Sequence, residues 1–370
     1  MTPKVSVMIP SYNHEPYVAE AVESVLNQTF TDFELLISDD ASPDRSAEIL
    51  QRYDDPRIDL HLSSENQGAT LNLQYLVDKC RGEYVALNNS DDVWLPQRLE
   101  KGVAYLDAHP ECGAVFSQAA LIDENSHVLT ADCEIFHQPN RTRAEWYRHF
   151  FTKANCLCHP SVLIRRSVYE QIGCYSMGMR QLPDFWMWVR LVKHFELHVL
   201  PEVLVQHRRC VTTLQNTSAP GPDNSVRDIN ESLYILLHYF DDVDDAFFKE
   251  AFQKFFRDKN AQTHEELICE RFFLILDSHY YMPKISRLAA MYFFLEHCDT
   301  PALIHLLMDR YHYSLNDFYK VGSEMDITGR LAANPENDPI FAHTSWFKRA
   351  FSDTPLYGAA RKVYHKLRND

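Results

Sequence analysis

The sequence predicts an α/β fold in which a mostly parallel sheet has helices on both faces, followed by a helical C-terminal region. Apolar strand segments alternate with segments of helical periodicity over residues 1–115, and strands separated by helices form parallel sheets that are covered on both faces. Beyond residue 226, Phe, Tyr, Leu and His recur at helical spacing up to residue 320, which is typical of packed helices. The predicted organisation is an α/β domain at 1–217, a linker at 218–225 and a helical region at 226–370.

Strands and helices alternate from the start of the chain. The predicted strands are the short apolar or alternating segments 5–9, 33–37, 58–62 and 84–87. Between them, Pro16 and Pro96 are placed to begin helices and Asp44 to cap one, while residues 70–79 form a further helix.

The second half of the domain has a mixed pattern. Residues 114–117, 161–164 and 204–208 are predicted strands, and residues 182–191 form an aromatic-rich helix. A run of Ser, Pro, Gly and Asn at 218–225 predicts the linker.

Charge and cysteine content limit the function and the location. The net charge of −16 argues against a nucleic-acid partner, because a polyanion needs a basic face. The nine cysteines include no CxxC pair, which indicates a reducing compartment. No signal segment precedes the first strand, and no apolar run reaches the ~18–20 residues of a membrane span. We therefore expect a cytoplasmic protein.

Two common nucleotide-binding folds are excluded by the glycines. A dehydrogenase-type Rossmann domain needs closely spaced glycines after its first strand, and a P-loop needs GxxxxGK[ST]. The chain has ten glycines, none of them arranged as GxG, and no P-loop sequence.

Polar residues follow three of the predicted strands. Pro10, Tyr12 and Asn13 come after the first strand, and Asp39 and Asp40 after the second. Ligands of open α/β sheets bind at the carboxyl ends of the strands. An aromatic ring, an amide and carboxylates at that edge suit a nucleotide base and ribose. The alternative is that the two acids only cap the following helix.

The turn after the fourth strand contains Ser90, Asp91 and Asp92. Carboxylates on a short turn suit a hard divalent cation, which can hold a diphosphate. A solvated turn with a capping Asp is the alternative. Further along, Asp184 begins the aromatic-rich helix and is a candidate general base, or else a plain helix cap. Together these sites predict group transfer from an activated nucleotide donor.

Six motifs in order make the chain resemble the family 2 glycosyltransferases, which have the GT-A fold. They are VSVMIPSYN at 5–13, SDDASPD at 38–44, ENQG at 65–68, GEYVA at 82–86, HPSVLIRRS at 159–167 and DFWMWVRL at 184–191. The resemblance covers residues 3–210. It implies a GT-A domain at 1–217, with a nucleotide-binding half at 1–115 and an acceptor half at 116–217.

The resemblance also implies roles for individual residues. Asp184 corresponds to the base that deprotonates the acceptor, and Asp91, with Asp92, to the carboxylates that hold Mn²⁺ or Mg²⁺ on the diphosphate. The reaction inverts the anomeric carbon. The residues implied in nucleotide binding are Pro10, Tyr12, Asn13, Asp39, Asp40, Asn66, Gly68, Asn72 and Ser90. For Asn66, Gly68 and Asn72, the shaping of a turn is an equal alternative.

The expected partners follow from the same resemblance. They are a nucleotide-sugar donor, with a UDP-sugar favoured, and a glycan or lipid-linked acceptor in the synthesis of bacterial surface polysaccharide. The basic, aromatic segment 346–370 predicts a peripheral contact with the inner membrane face. A solvated helix is the alternative.

Three positions depart from the family pattern. Asn89 stands where the first Asp of the DxD motif is expected, Pro183 where the family often has Glu before the base, and Cys210 where many members have His. His207 and Arg209 are candidate substitutes for that His. The departures support a second hypothesis, a catalytically weak GT-A module that acts as a binding or scaffold subunit.

Overall fold

The computed structural model describes residues 2–129, 133–209, 221–278 and 283–325. Residues Met1–Leu306 form one compact unit and Leu307–Asp370 a second. The first unit therefore extends past residue 217 and includes helices of the predicted C-terminal region. Cys210 and the basic segment 346–370 lie outside the described residues.

An eight-stranded mixed sheet forms the centre of the first unit. Its strands are β1 Val5–Ser11, β2 Phe33–Asp39, β3 Ile58–Leu62, β4 Tyr84–Leu87, β5 Val93–Trp94, β6 Cys112–Ile122, β7 Leu163–Arg165 and β8 Glu196–Arg208. Their order is β3-β2-β1-β4-β7-β6-β8-β5. The pairs β1/β2, β2/β3, β1/β4 and β6/β8 are parallel, whereas β4/β7, β6/β7 and β5/β8 are antiparallel.

Helices cover the sheet, and its central strands therefore have no side that faces solvent. Every residue of β2 and β4 is buried, as expected for strands that are covered on both faces. Strand β4 contains no charged residue, whereas β2 also buries Glu34, Ser38 and Asp39. The helices of the α/β part are α1 Val18–Leu26, α2 Ser46–Leu50, α3 Ala69–Lys79, α4 Arg98–Ala108, α5 Arg143–Lys153, α6 Arg166–Ile172 and α7 Pro183–His194. Short 3₁₀ turns form at Cys133–Phe136 and His159–Ser161. The predicted α/β fold class is confirmed.

The described part of the C-terminal region is helical, as predicted. Its helices are α8 Pro222–Leu237, α9 Asp245–Phe252, α10 His264–Leu276, α11 Pro283–Phe293, α12 Pro301–Tyr311 and α13 Leu315–Ser323. A 3₁₀ turn at Gln253–Phe255 and a π-helical turn at Phe294–Cys298 complete the set. Among the helices that the structure describes, none is both long and apolar enough to cross a membrane.

The structure corrects several boundaries. Residues 222–225 of the predicted linker form the first turn of α8, because proline is well accommodated at the first helical position. Residues 218–220 lie outside the described part. The predicted strand at 161–164 starts only at Leu163. Strand β5 and helices α5 and α6 were not predicted.

The parallel arrangement of β1, β2 and β4 places the functional turns together. All three strands run in the same direction, so their carboxyl ends meet at one edge of the sheet. The approach to β4 depends on Gly82, where a Cβ atom would lie 2.5 Å from the backbone nitrogen of Ser6. The turns that follow the three strands form one side of the candidate site.

Candidate active site

Asp39 links the turns that follow β1 and β2. Its Oδ2 accepts hydrogen bonds from the hydroxyls of Ser11, at 3.0 Å, and Ser42, at 2.6 Å, and its Oδ1 accepts one from the Ser42 amide at 2.8 Å. The Asn13 amide donates to the Ser42 hydroxyl at 2.9 Å. These bonds favour a structural role for Asp39, which is buried. Tyr12, in the turn that follows β1, is 44% exposed, so its ring is accessible to a ligand.

Asp40 holds the loop that precedes α3. Its Oδ1 accepts from the Gln67 amide at 2.9 Å and its Oδ2 from the Gly68 amide at 2.8 Å. Gly68 has a φ of 94°, a conformation that glycine adopts without strain. The buried side chain of Asn72 donates to the Ser38 carbonyl at 2.9 Å.

The structure thus gathers most of the predicted nucleotide-binding residues around the ends of β1 and β2. Pro10 pairs with Ser38 in the sheet, and Asn66 lies exposed on the loop that Asp40 holds. Asp40, Gly68 and Asn72 all have roles in shaping this edge.

Asp92 is fully buried and already bound by the protein. Its Oδ1 accepts from the Arg208 amide at 2.7 Å and from His207 Nδ1 at 2.9 Å. Its Oδ2 accepts from the Asn89 side chain at 2.8 Å. Burial alone would raise the pKa of Asp92, but the charge and hydrogen bond of His207, together with the other donors, lower it. This environment favours a structural role, and its assignment as a metal ligand stays a prediction.

Asp91 has a different environment from its neighbour. Its Oδ2 lies 3.9 Å from Nε2 of His14, while Nδ1 of that ring is hydrogen-bonded to the Ser90 hydroxyl at 2.7 Å. Burial, reinforced by the charge of Asp92, raises the pKa of Asp91. A buried carboxylate that faces an imidazole nitrogen is suited to accept a cation.

Arg208 fixes this turn from the end of β8. The buried guanidinium donates to the Asp91 carbonyl from Nε at 2.8 Å and to Glu20 from Nη2 at 2.6 Å. Its Nη1 donates to the Asp123 carbonyl at 2.8 Å. Strand β8, the last strand in chain order, thereby sets the position of the turn that follows β4.

Asp184 is in the first turn of α7, as predicted. Its Oδ2 accepts from the side-chain amide of Asn155 at 2.8 Å. The Oδ1 of Asn155 accepts in turn from the Leu157 amide at 3.1 Å, which fixes the orientation of the amide group. Within the described residues the other oxygen of Asp184 has no hydrogen-bond partner, so it is available to take a proton.

Asp184 and Asp92 both act on the segment that contains Cys158 and His159. Burial lowers the pKa of His159, while the charges of Asp184 and Asp92 both act on the same ring in the opposite direction. Both acids also raise the pKa of Cys158, whose burial is the larger cause. The candidate base and the turn that contains Asp92 therefore both lie within electrostatic reach of this segment.

The described residues supply only part of a metal site. Nowhere among them do three or more His, Cys, Asp or Glu side chains converge as ligands. Asp91 and His14 offer one carboxylate and one imidazole. Diphosphate oxygens and water would have to complete the coordination, which is usual for a cation that binds with a nucleotide.

Three residues of the site have no counterpart in the sequence prediction. His14 was missed although it directly follows the predicted turn residues, and this position was the available signal. Glu20 and Asn155 carry no local signal, because their partners Arg208 and Asp184 are distant in the chain.

Comparisons with known proteins agree on one family. The model of the family described as Glycosyl transferase family 2 matches residues 6–173. The putative teichuronic acid biosynthesis glycosyltransferase TuaG of Bacillus subtilis is 32% identical over 210 residues, which are 56% of this chain and 79% of that protein. The putative glycosyltransferase EpsE of the same organism is 29% identical over 212 residues, which are 56% of this chain and 73% of that protein.

Solved structures share the fold. The structure of S. aureus TarS 1–349 has a TM-score of 0.53 at 15% identity, and the alignment covers 90% of this chain and 93% of that one. The same TarS fragment in complex with UDP-GlcNAc has a TM-score of 0.55 at 16% identity, with coverages of 86% and 90%. With the sequence relatives and the mixed sheet described above, these similarities lead to one conclusion: the chain belongs to the family 2 glycosyltransferases and has the GT-A fold.

Proposed function

We propose that this glycosyltransferase transfers a sugar from a nucleoside-diphosphate sugar to an acceptor hydroxyl, with inversion at the anomeric carbon. The observation that carries the proposal is the state of Asp184. One of its carboxylate oxygens is held by Asn155, and the other has no hydrogen-bond partner among the residues that the structure describes. This is the arrangement that a positioned general base requires.

The donor would bind at the carboxyl ends of β1 and β2. The accessible ring of Tyr12 can stack on the base, and the loop held by Asp40 can contact the nucleoside. We favour a UDP-sugar because TarS, which shares the fold, has been solved with UDP-GlcNAc.

Asp91 and His14 would hold a divalent cation together with the diphosphate. Bound there, the cation would stabilise the negative charge of the departing nucleoside diphosphate. An imidazole in the ligand set suits Mn²⁺ better than the harder Mg²⁺. Asp92, bound by His207 and Arg208, would set the turn without contacting the ion.

Asp184 would act on the acceptor. The acceptor oxygen forms a bond with the anomeric carbon while the bond from that carbon to the diphosphate oxygen breaks. The hydroxyl proton passes to the free oxygen of Asp184. Attack on the face opposite the leaving group inverts the configuration.

The product is expected to be a bacterial glycan. This rests on relatives such as TuaG, whose name assigns it to teichuronic acid biosynthesis. A glycan or lipid-linked acceptor and a location on the cytoplasmic face of the membrane fit the same proposal.

The test compares the wild type with Asp184→Asn. A panel of sugar nucleotides is incubated with Mn²⁺ and candidate acceptors, and nucleotide release is measured. We expect the variant to lose about 10²–10⁴-fold in transfer rate and to keep the wild-type affinity for UDP in calorimetry. Nucleotide binding without turnover for every donor and acceptor would contradict the proposal and support the scaffold hypothesis.

A further inference from the structure

A single carboxylate from the C-terminal region holds the turn in front of the proposed base. Glu231, in α8, accepts hydrogen bonds from three successive backbone amides. Its Oε1 binds the amide of Arg180 at 2.8 Å, and its Oε2 binds those of Gln181 at 2.8 Å and Leu182 at 2.7 Å. Leu182 is the N-cap residue of α7 and has no side-chain cap of its own.

These amides need a partner from elsewhere in the chain. The amide of Leu182 belongs to the first N–H groups of the helix, which have no partner within it, and the Leu side chain at the cap position cannot accept a bond. The amides of Arg180 and Gln181 belong to the turn that precedes the helix. A carboxylate at this end is favoured by its charge-assisted bonds and by the helix dipole. Glu231 therefore fixes the point at which α7 begins, and Asp184 is the second residue of that helix.

The same turn is also bound from the donor side. The hydroxyl of Thr70, at the start of α3, donates to the Met179 carbonyl at 3.1 Å. Thr70 follows Gly68, whose amide is held by Asp40. The turn at 179–182 thus connects the proposed nucleotide loop to α8.

Two further contacts hold α8 against this segment. The side chain of Gln181 donates to Asn224 at 3.1 Å. The ring of Trp186 meets that of Tyr234 edge-on, with 5.8 Å between centroids and 83° between planes. Glu231 lies between Asn224 and Tyr234 on the helix, so these two contacts keep its carboxylate next to the turn.

We propose that Glu231 is a positioning residue for glycosyl transfer and that α8 completes the active site. The inference rests on the proposed function, because it matters for catalysis only if Asp184 is the base. Helix α8 lies beyond residues 6–173, which the family model matches. The C-terminal region thereby acquires a role in the chemistry of the GT-A part.

The experiment compares Glu231→Ala and Glu231→Gln with the control Asp223→Asn. Asp223 is an exposed acid in the first turn of the same helix. We expect Glu231→Ala to lower kcat about 100-fold, as misplaced catalytic groups do, with the donor KM and the UDP affinity within about two-fold of the wild type. Glu231→Gln keeps one accepting oxygen, so its kcat should lie between that of Glu231→Ala and that of the wild type. The kcat of Asp223→Asn should match the wild type.

A second set of measurements separates positioning from general stabilisation. In the background of Asp184→Asn, the change Glu231→Ala should cause no further loss of rate, because it acts through Asp184. Amide hydrogen exchange at 180–182 should be faster in Glu231→Ala than in the wild type, because these amides lose their acceptor.

The outcomes distinguish the two proposals. Full activity of both Glu231 variants, or losses that add to that of Asp184→Asn, would overturn this inference alone. A wild type without transfer activity would overturn the proposed function and this inference with it. If Glu231→Ala does not fold, the kcat of the folded Glu231→Gln decides.

Discussion

Asp91 and Asp92 are neighbours in the chain, yet their carboxylates have different surroundings. Asp92 accepts three hydrogen bonds from Asn89, His207 and the backbone of Arg208. The Oδ2 atom of Asp91 faces Nε2 of His14, at 3.9 Å. A side chain whose acceptors are already used contributes to folding, whereas one with free lone pairs can bind a ligand.

We expect the two Asp→Asn substitutions to separate these roles. Asp91→Asn should weaken Mn²⁺ binding in the presence of UDP by about ten-fold, or about 1.4 kcal/mol, and leave the unfolding free energy nearly unchanged. Asp92→Asn should lower the free energy of unfolding by about 1–3 kcal/mol, because buried donors lose their acceptor.

Calorimetric titration of Mn²⁺ and urea denaturation measure the two effects, and each variant is the control for the other. A loss of metal affinity in Asp92→Asn with unchanged stability would show that Asp92 is the ligand.

The sequence proposed the candidate site residues but did not predict how their environments differ. Tyr12, Asp40, Asp91 and Asp184 were found because each follows a predicted strand or begins a helix. The Oδ1 atom of Asp92 accepts hydrogen bonds from residues 207 and 208, which lie more than 110 positions away in the chain. No local sequence pattern contains such contacts.

At the scale of elements, a buried acid of β2, Glu34, supports the pairing of that strand with β1. Glu34 accepts from the Ser6 hydroxyl at 2.6 Å and from the amide and guanidinium of Arg81. Burial alone would raise the pKa of Glu34, but the bonds from Arg81 and Ser6 outweigh it and lower the pKa below 4.5. The ionised form is therefore favoured in the folded state.

The lowered pKa predicts a pH-dependent contribution to stability. The stabilisation is fully present above the ordinary glutamate pKa of 4.5 and is lost as the pH falls through the lower pKa of the folded state. We expect Glu34→Gln to cost about 1–3 kcal/mol at pH 7 and progressively less than that below pH 4.5.

Urea denaturation of wild type and variant across this pH range measures the difference. Substitution of Glu100, an exposed acid in α4, by Gln is the control. A difference between wild type and Glu34→Gln that stays constant with pH would contradict this account.

The predicted elements were accurate where periodicity is strong. The strands at 58–62 and 84–87 match β3 and β4, and the helix predicted at 70–79 matches α3 to within one residue. Strand β5 was missed because two residues carry no period. The linker prediction at 218–225 was wrong over 222–225, since Pro222 begins a helix as readily as it ends one.

At the scale of the whole molecule, the α/β part and the first C-terminal helices share one buried interior. The hydroxyls of Tyr147 and Tyr239 each donate to the other's carbonyl, and both rings are fully buried. The ammonium group of Lys193 donates to the carbonyls of His238, at 3.1 Å, and Asp241, at 2.8 Å. Phe151 packs on Tyr239 with 5.0 Å between ring centroids.

We therefore expect residues 1–217 alone to be much less stable than the full chain. Each large apolar side chain uncovered on α5, such as Phe151, costs about 1.5–3 kcal/mol, and the buried ammonium of Lys193 loses its acceptors. Thermal unfolding and dye binding to exposed apolar surface measure the effect, with residues 1–325 as the control. Equal melting temperatures for the fragments 1–217 and 1–325 would show that the α/β part folds independently.

The sequence by itself predicted the fold class, which the structure confirms, and proposed the edge of the sheet for ligand binding and the candidate acids. These depend on periodicity and on residues next to strand ends, and both are local. Only the tertiary structure decided that Asp92 is bound by three donors, that His14 faces Asp91, and that Glu231 holds the turn in front of Asp184. Hydrogen bonds of about 3 Å join residues from distant parts of the chain, so their partners follow from the packing of elements rather than from the pattern within any one of them.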